Sequence, residues 1–139
     1  MSDHSQFTTL QPANWAVPKG YANGVAAEGR LVFVAGQIGW DETGSFPAAD
    51  IAGQVRQTLR NVVAVLAQAG AGPEHVARMT WYVTDRDAYL ADPARIGQAY
   101  RDVMGRHFPA MAVVVVSALL EPSAKVEIEA TAVVPRPIS

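Results

Sequence analysis

The chain has 139 residues, half of them hydrophobic, with a formal net charge of −2 and no cysteine. This composition predicts one globular domain, residues 1–139, with a core of ordinary size. It excludes disulfides, thiolate nucleophiles and cysteine-ligated metals, and the acidic balance with no clustered basic stripe predicts no nucleic-acid partner.

The N-terminal segment lacks the basic start and apolar core of a signal peptide, so we expect a cytoplasmic protein. No apolar run approaches the ~20 residues of a membrane helix, and we expect no membrane partner. Residues 1–20 are polar and contain Pro12 and Pro18, which predicts an irregular lead-in.

A β-hairpin is predicted next. Two short apolar runs, Tyr21–Ala27 and Leu31–Ala35, flank Gly29, which favours a tight turn between paired strands. The glycine-rich stretch Gly36–Phe46 then predicts a loop.

Helical spacing begins at Asp50 and continues to Gly70, a residue typical of a helix C-terminus. Residues 76–83 are rich in β-branched and aromatic side chains and predict a strand, and residues 85–90 predict a connection. Asp92 followed by Pro93 predicts the start of a second helix, which continues to about Gly105.

Two strands close the chain. Met111–Val116 is apolar at successive positions, so we expect both of its faces to be buried. The strand from Val126 alternates, with Glu127 and Glu129 on the face opposite Ile128. The predicted class is α+β, ordered β-β-α-β-α-β-β, with one sheet and two helices on one of its faces.

The second face of that sheet is expected to be buried by another chain or another segment. Two helices cover only one face, yet Met111–Val116 is apolar on both, and Trp81 and Tyr82 are neighbours that point in opposite directions. Self-association is the interpretation we favour. The alternative is that residues 1–20 fold over the open face.

The C-terminal block carries a family resemblance. Pro109-Ala110 before the apolar strand and Val126-Glu127-Ile128-Glu129-Ala130 after it resemble the signature of the RidA (YjgF) family of enamine and imine deaminases. Further similarities run along nearly the whole chain: Gly20-Tyr21, Val34-Ala35-Gly36-Gln37, Ala69-Gly70-Ala71, residues 80–85 and Tyr100. The resemblance implies a chorismate-mutase-like fold, a homotrimer with sites in the clefts between subunits, a small-molecule substrate and no cofactor or metal.

The resemblance also implies site roles. Glu127 matches the glutamate that orients the attacking water, Tyr21 matches a tyrosine at the pocket mouth, and the backbone near Gly36 and Ala110 would polarise the reacting group. The alternatives stay open: Glu127 forms an interface ion pair or faces solvent, Tyr21 only begins a strand, and Gly36 only forms a turn.

Met111 departs from the family pattern. Where the family has an arginine that holds a substrate carboxylate, methionine offers neither charge nor donors. Other arginines available to replace it are Arg78, Arg95, Arg101 and Arg106, each of which we interpret first as a surface or strand-end residue.

Three functions remain in view. The first is a cofactor-independent deaminase, a hydrolase of C–N bonds, whose substrate differs from 2-aminoacrylate-type imino acids. The second is a non-catalytic trimer that binds a small apolar metabolite or a protein partner. An endoribonuclease or translation inhibitor is disfavoured by the acidic balance.

Overall fold

The computed structural model describes residues 7–136. Its elements in chain order are β1 (Thr8–Leu10), β2 (Gly24–Ala26), β3 (Arg30–Ile38), α1 (Ile51–Ala67), a 3-10 turn (Pro73–His75), β4 (Val76–Val83), α2 (Arg86–Ala91), α3 (Pro93–Met104), β5 (Ala110–Val115) and β6 (Val126–Val134).

A four-stranded sheet in the order β3-β6-β4-β5 forms the centre of the molecule. Its pairs are antiparallel except β4 and β5, which run parallel and are joined through α2 and α3. Helices α1 and α3 pack on one face, where α1 contributes Val55 and Leu59, α3 contributes Ile96, and the sheet contributes Trp81 and Ile128. The predicted α+β class, with both main helices on one side, is confirmed.

Both main helices begin at the predicted aspartates. The Asp50 side chain accepts a hydrogen bond from the backbone N–H of Gly53, and Asp92 accepts one from Arg95 ahead of α3. These bonds satisfy backbone donors that have no partner within the first turn of a helix.

The predicted hairpin is wrong. Strand β2 pairs with β1, within the segment predicted to be irregular, and β3 pairs with β6. The chain therefore contains a separate two-stranded ribbon beside the four-stranded sheet. Gly29 does turn the chain with a φ of 151°, but its neighbours separate after the turn because each has a partner elsewhere.

Two predicted connections contain regular structure. Strand β3 continues to Ile38 through a register shift between Val34 and Gln37, so the predicted loop begins later than Gly36. Residues 85–90 were predicted to be a connection, yet they carry the short helix α2, which Asp85 caps by accepting from Ala88 N–H. Residues 1–6 and 137–139 of the chain lie outside the described range.

The sheet face away from the helices is open and carries large apolar side chains. Phe33 is 72% exposed, Leu31 57% and Val114 42%. Strand β5 is at the sheet edge, so the burial predicted for Met111–Val116 on both faces is not met within one chain. That prediction depends on a second copy and stays a prediction.

Candidate active site

The start of β5 is attached to the segment that holds Tyr21. The N–H of Ala22 donates to the carbonyl of Pro109 at 2.9 Å, and Ala22 forms a parallel bridge with Ala110. This connection brings together three of the predicted binding residues, namely Tyr21, Ala110 and Met111.

A cavity of about 710 Å³ lies between β5 and helices α2 and α3, on the helix side of the sheet. Both Tyr21 and Met111 line it. Its remaining lining residues are Lys19, Gly20, Trp81, Tyr89, Leu90, Pro93, Ile96, Gly97, Tyr100, Arg101, Phe108 and Val113. A concave site lined mainly by apolar and aromatic groups, with a few polar groups, is typical of small-molecule binding.

Glu127 and Gly36 are in contact on the opposite face of the sheet. A Cβ atom added to Gly36 would lie 2.8 Å from Cδ of Glu127, so the carboxylate packs against the β3 backbone in the space that a side chain at position 36 would occupy. The glutamate is partly buried and receives no hydrogen bond from the described residues 7–136, which leaves its oxygens free for a water molecule or a ligand.

Tyr82 lies opposite Glu127 in the strand register, while Thr80 lies opposite Glu129. Burial raises the pKa of the Tyr82 phenol above its usual value. The charge of Glu129, a hydrogen bond to that carboxylate and the charge of Glu127 raise it further, and Arg78 acts in the other direction. Glu129 therefore interacts with Tyr82 on the open face.

The predicted site residues therefore form two groups. Tyr21, Ala110 and Met111 are near the cavity, with Met111 pairing beside Met79 on the helix face. Glu127 is on the open face with Gly36, and β4 separates its strand from β5. No single chain brings Glu127 and the cavity together.

Other cavity residues were not singled out as site residues from the sequence. Arg101, which the sequence favours as a surface residue, lines the cavity, and Trp81 lines it too. The sequence does contain one signal for Arg101: Gly97 and Arg101 are four residues apart, which places both on one face of α3. A larger groove of about 1050 Å³, which includes Thr8, Gly29 and Val133, contains no predicted site residue.

Within residues 7–136, no three histidine, cysteine, aspartate or glutamate side chains are grouped in a way that could hold a metal ion. No helix in that range is long and apolar enough to span a bilayer.

Comparison with known proteins gives a consistent family. The family model described as "Endoribonuclease L-PSP" matches residues 12–134. "Putative reactive intermediate deaminase TdcF" of Escherichia coli strain K12 is 38% identical over 117 residues, which cover 81% of this chain and 85% of the relative.

Solved structures agree. The Rid family protein YyfB from Yersinia pestis superposes with a TM-score of 0.82 at 31% identity, covering 93% of this chain and 99% of that one. E. coli TdcF with bound serine gives a TM-score of 0.64 at 35% identity, covering 85% and 90%.

Proposed function

The chain belongs to the RidA (YjgF) family, whose model is described as endoribonuclease L-PSP, and from that premise we propose that it is a deaminase of an enamine or imine metabolite. The reaction adds water across a C=N bond, after which the C–N bond breaks to give a carbonyl compound and ammonia. Support comes from relatives that carry a reactive intermediate deaminase name.

The proposal rests on one observation: the Glu127 carboxylate packs against Gly36, and no group in residues 7–136 donates a hydrogen bond to it. A carboxylate held in this way can accept a proton from water as the water attacks the imine carbon. The histidines of the described range do not compete for this role, since His107 Nε2 is 2.6 Å from the carbonyl oxygen of Val76 and His75 accepts from Gly72 N–H.

A second copy of the chain completes the proposed site. Glu127 and the cavity lie on opposite faces of one sheet, and the open face presents Phe33 and Val114 to solvent. If the open face of one subunit packs against the β5 edge of the next in a homotrimer, Glu127 of one subunit can approach the cavity of its neighbour, because that cavity lies beside the edge strand. The sites would then lie in the clefts between subunits.

The test is a pair of isosteric variants. Glu127→Gln keeps the shape of the side chain but removes the base, so ammonia release should fall by roughly 100-fold or more while mass and folding are retained. Glu129→Gln is the control, because Glu129 lies on the same face and is engaged with Tyr82. Equal ammonia release by Glu127→Gln and the parent, across imino acids and neutral imines, would remove Glu127 from catalysis.

A non-catalytic binding role is the second candidate. It is favoured by Met111, which places a thioether where an ion-pairing group is expected, in a cavity with mainly apolar walls. Tight binding of carbonyl compounds by the parent, with no ammonia released from any of the corresponding imines, would support this role.

A further inference from the structure

Glu127 and Gly36 meet near one end of the pairing between β3 and β6. The register of the two strands shifts around Gly36, and beyond the shift two residue pairs remain, Gln37 with Ile128 and Ile38 with Glu127. An irregularity of this kind disrupts the ladder of backbone hydrogen bonds locally. The position of the Glu127 carboxylate relative to the Gly36 backbone therefore depends on contacts from outside the two strands.

The side chain of Gln54, on α1, holds the start of β6. Gln54 is only 1% exposed, and its Oε1 accepts a hydrogen bond from the backbone N–H of Lys125 at 2.7 Å, two residues before Glu127. Its Nε2 donates to the carbonyl oxygens of Ser123 at 3.0 Å and Ala48 at 3.2 Å. Because both its donor and its acceptor atoms are engaged, the buried carboxamide has a fixed orientation and ties the chain before Glu127 to the helix.

The backbone of the same residue supports the end of β3. A Cβ added to Gly39 would lie 3.1 Å from both Cα and Cβ of Gln54, so the chain just after β3 packs directly on α1 at this residue. Further along α1, Asn61 donates to the carbonyl oxygens of Ile38 and Trp40, each at 2.8 Å, and holds the same end of the strand. Gln54 is therefore in contact with both chain segments, the end of β3 through its backbone and the start of β6 through its side chain.

We propose that Gln54 is a positioning residue of the candidate active site, which sets the distance between the Glu127 carboxylate and the β3 backbone at Gly36. Pairing of Glu127 with Tyr82 fixes β6 from the β4 side, while the contacts of Gln54 fix it relative to the irregular end of β3. Gln54 is buried and does not line the cavity, so it acts through Glu127 and not on a ligand. The inference rests on the proposed function for what Glu127 does, and on geometry alone for where Glu127 lies.

Gln54→Met tests this role, because methionine keeps the length of the side chain and removes its three hydrogen bonds. The probes are the 2-imino acids that an amino-acid oxidase generates from leucine and phenylalanine. The kcat for ammonia release should fall by about 10- to 100-fold, since a displaced catalytic group lowers the rate steeply. KM should change by less than about threefold, because Gln54 does not line the cavity.

Val62→Ala is the matched control for a loss of stability. Val62 is also buried on α1, and its apolar side chain makes no hydrogen bond to the start of β6. Its truncation leaves a cavity in the core, so the thermal unfolding midpoint should fall. At temperatures well below both midpoints, kcat of Val62→Ala should equal that of the parent, whereas kcat of Gln54→Met should remain low.

A double-mutant cycle measures whether the effect passes through Glu127. In the Glu127→Gln background, Gln54→Met should lower kcat by less than about twofold, because the group that it displaces is already inactive. A decrease as large as the one in the parent background would overturn the inference, since Gln54 would then act on something other than Glu127.

Amide NMR spectra of the isotope-labelled protein test the position without catalysis. The backbone amide resonances of Gly36 and Glu127 should both shift in Gln54→Met and keep the parent's positions in Val62→Ala. If Gln54→Met does not fold, Gly39→Ala replaces it, because its added Cβ pushes on Gln54 from the β3 side and should shift the same two resonances.

Two results would overturn the inference: unshifted resonances of Gly36 and Glu127, or a Gln54→Met protein with the parent's kcat when Glu127→Gln is impaired. The second result would leave the deaminase proposal in place. Shifted resonances without ammonia release from any imine by the parent would remove the deaminase proposal and keep the assignment of Gln54. Shifted resonances with equal kcat for the parent and Glu127→Gln would have the same meaning.

Discussion

Phe33→Thr tests whether the open sheet face is a subunit interface. Phe33 is on β3, points away from the helices and is 72% exposed in one chain. Threonine suits a strand, so the fold of the single chain should be retained. What changes is the apolar area that a partner can cover.

The magnitude follows from that exposure. A phenylalanine buries ~150–250 Å² when fully covered, so the 72% that remains exposed is about 110–180 Å². At roughly 25 cal/mol per Å² its burial stabilises an assembly by about 3–4 kcal/mol per copy, an upper value because association has its own entropic cost. Threonine recovers only part of this, so the expected loss is about 2–3 kcal/mol per copy, which a trimer incurs in every subunit.

Sedimentation equilibrium at micromolar concentration is the assay, with circular dichroism as the check on folding. The parent should have the mass of a trimer, and Phe33→Thr should shift toward the monomer. Leu120→Thr is the control, because Leu120 is 102% exposed in the loop before β6 and is not part of the sheet. A parent that is monomeric, or a Phe33→Thr protein with the parent's mass, would refute the reasoning.

Three further outcomes are expected. Gly36→Ala places a methyl group against the carboxylate of Glu127, so ammonia release should fall about tenfold or more while the thermal unfolding temperature changes little. Unchanged turnover would mean that the position of this carboxylate does not matter for catalysis. The parent should act weakly on 2-aminoacrylate, and Met111→Arg should raise this rate by roughly 30-fold or more because it restores a bidentate carboxylate contact. An unchanged rate would mean that residues other than Met111 cause the weak activity. Burial raises the pKa of the Tyr100 phenol above the ordinary tyrosine value of 10.0, so the stability due to its neutral phenol is complete below pH 10 and declines as the pH rises further. Tyr100→Phe, which loses the hydrogen bond to the carbonyl of His107, should flatten that decline in urea titrations at pH 8–11.

Local sequence signals determined the elements with strong periodicity or explicit caps. Helix α1 begins after Asp50 and α3 after Asp92-Pro93 as predicted, because a side-chain acceptor and a proline act within one turn of the chain. The alternation in β6 correctly placed Ile128 toward the core and Glu127 on the other face, because side chains on a strand alternate strictly. The family was also identified from these motifs.

Pairing between distant segments was decided by the tertiary structure. Gly29 and the apolar runs around it are compatible with a hairpin, and nothing local reveals that Gly24–Ala26 pairs with Thr8–Leu10 while Arg30–Ile38 pairs with β6. Strand partners are selected by the burial of whole faces, a property that no short window contains.

The same limit applies to the site. The sequence motifs named Glu127, Gly36, Tyr21 and Met111, but only the folded sheet showed that the first two and the last two lie on opposite faces. Arg101 lines the cavity for an equally non-local reason: helix α3 lies across the cavity from β5, so a side chain on α3 four residues after Gly97 shares that cavity with Met111. Local chemistry determined which groups the chain possesses, and long-range packing decided which of them meet.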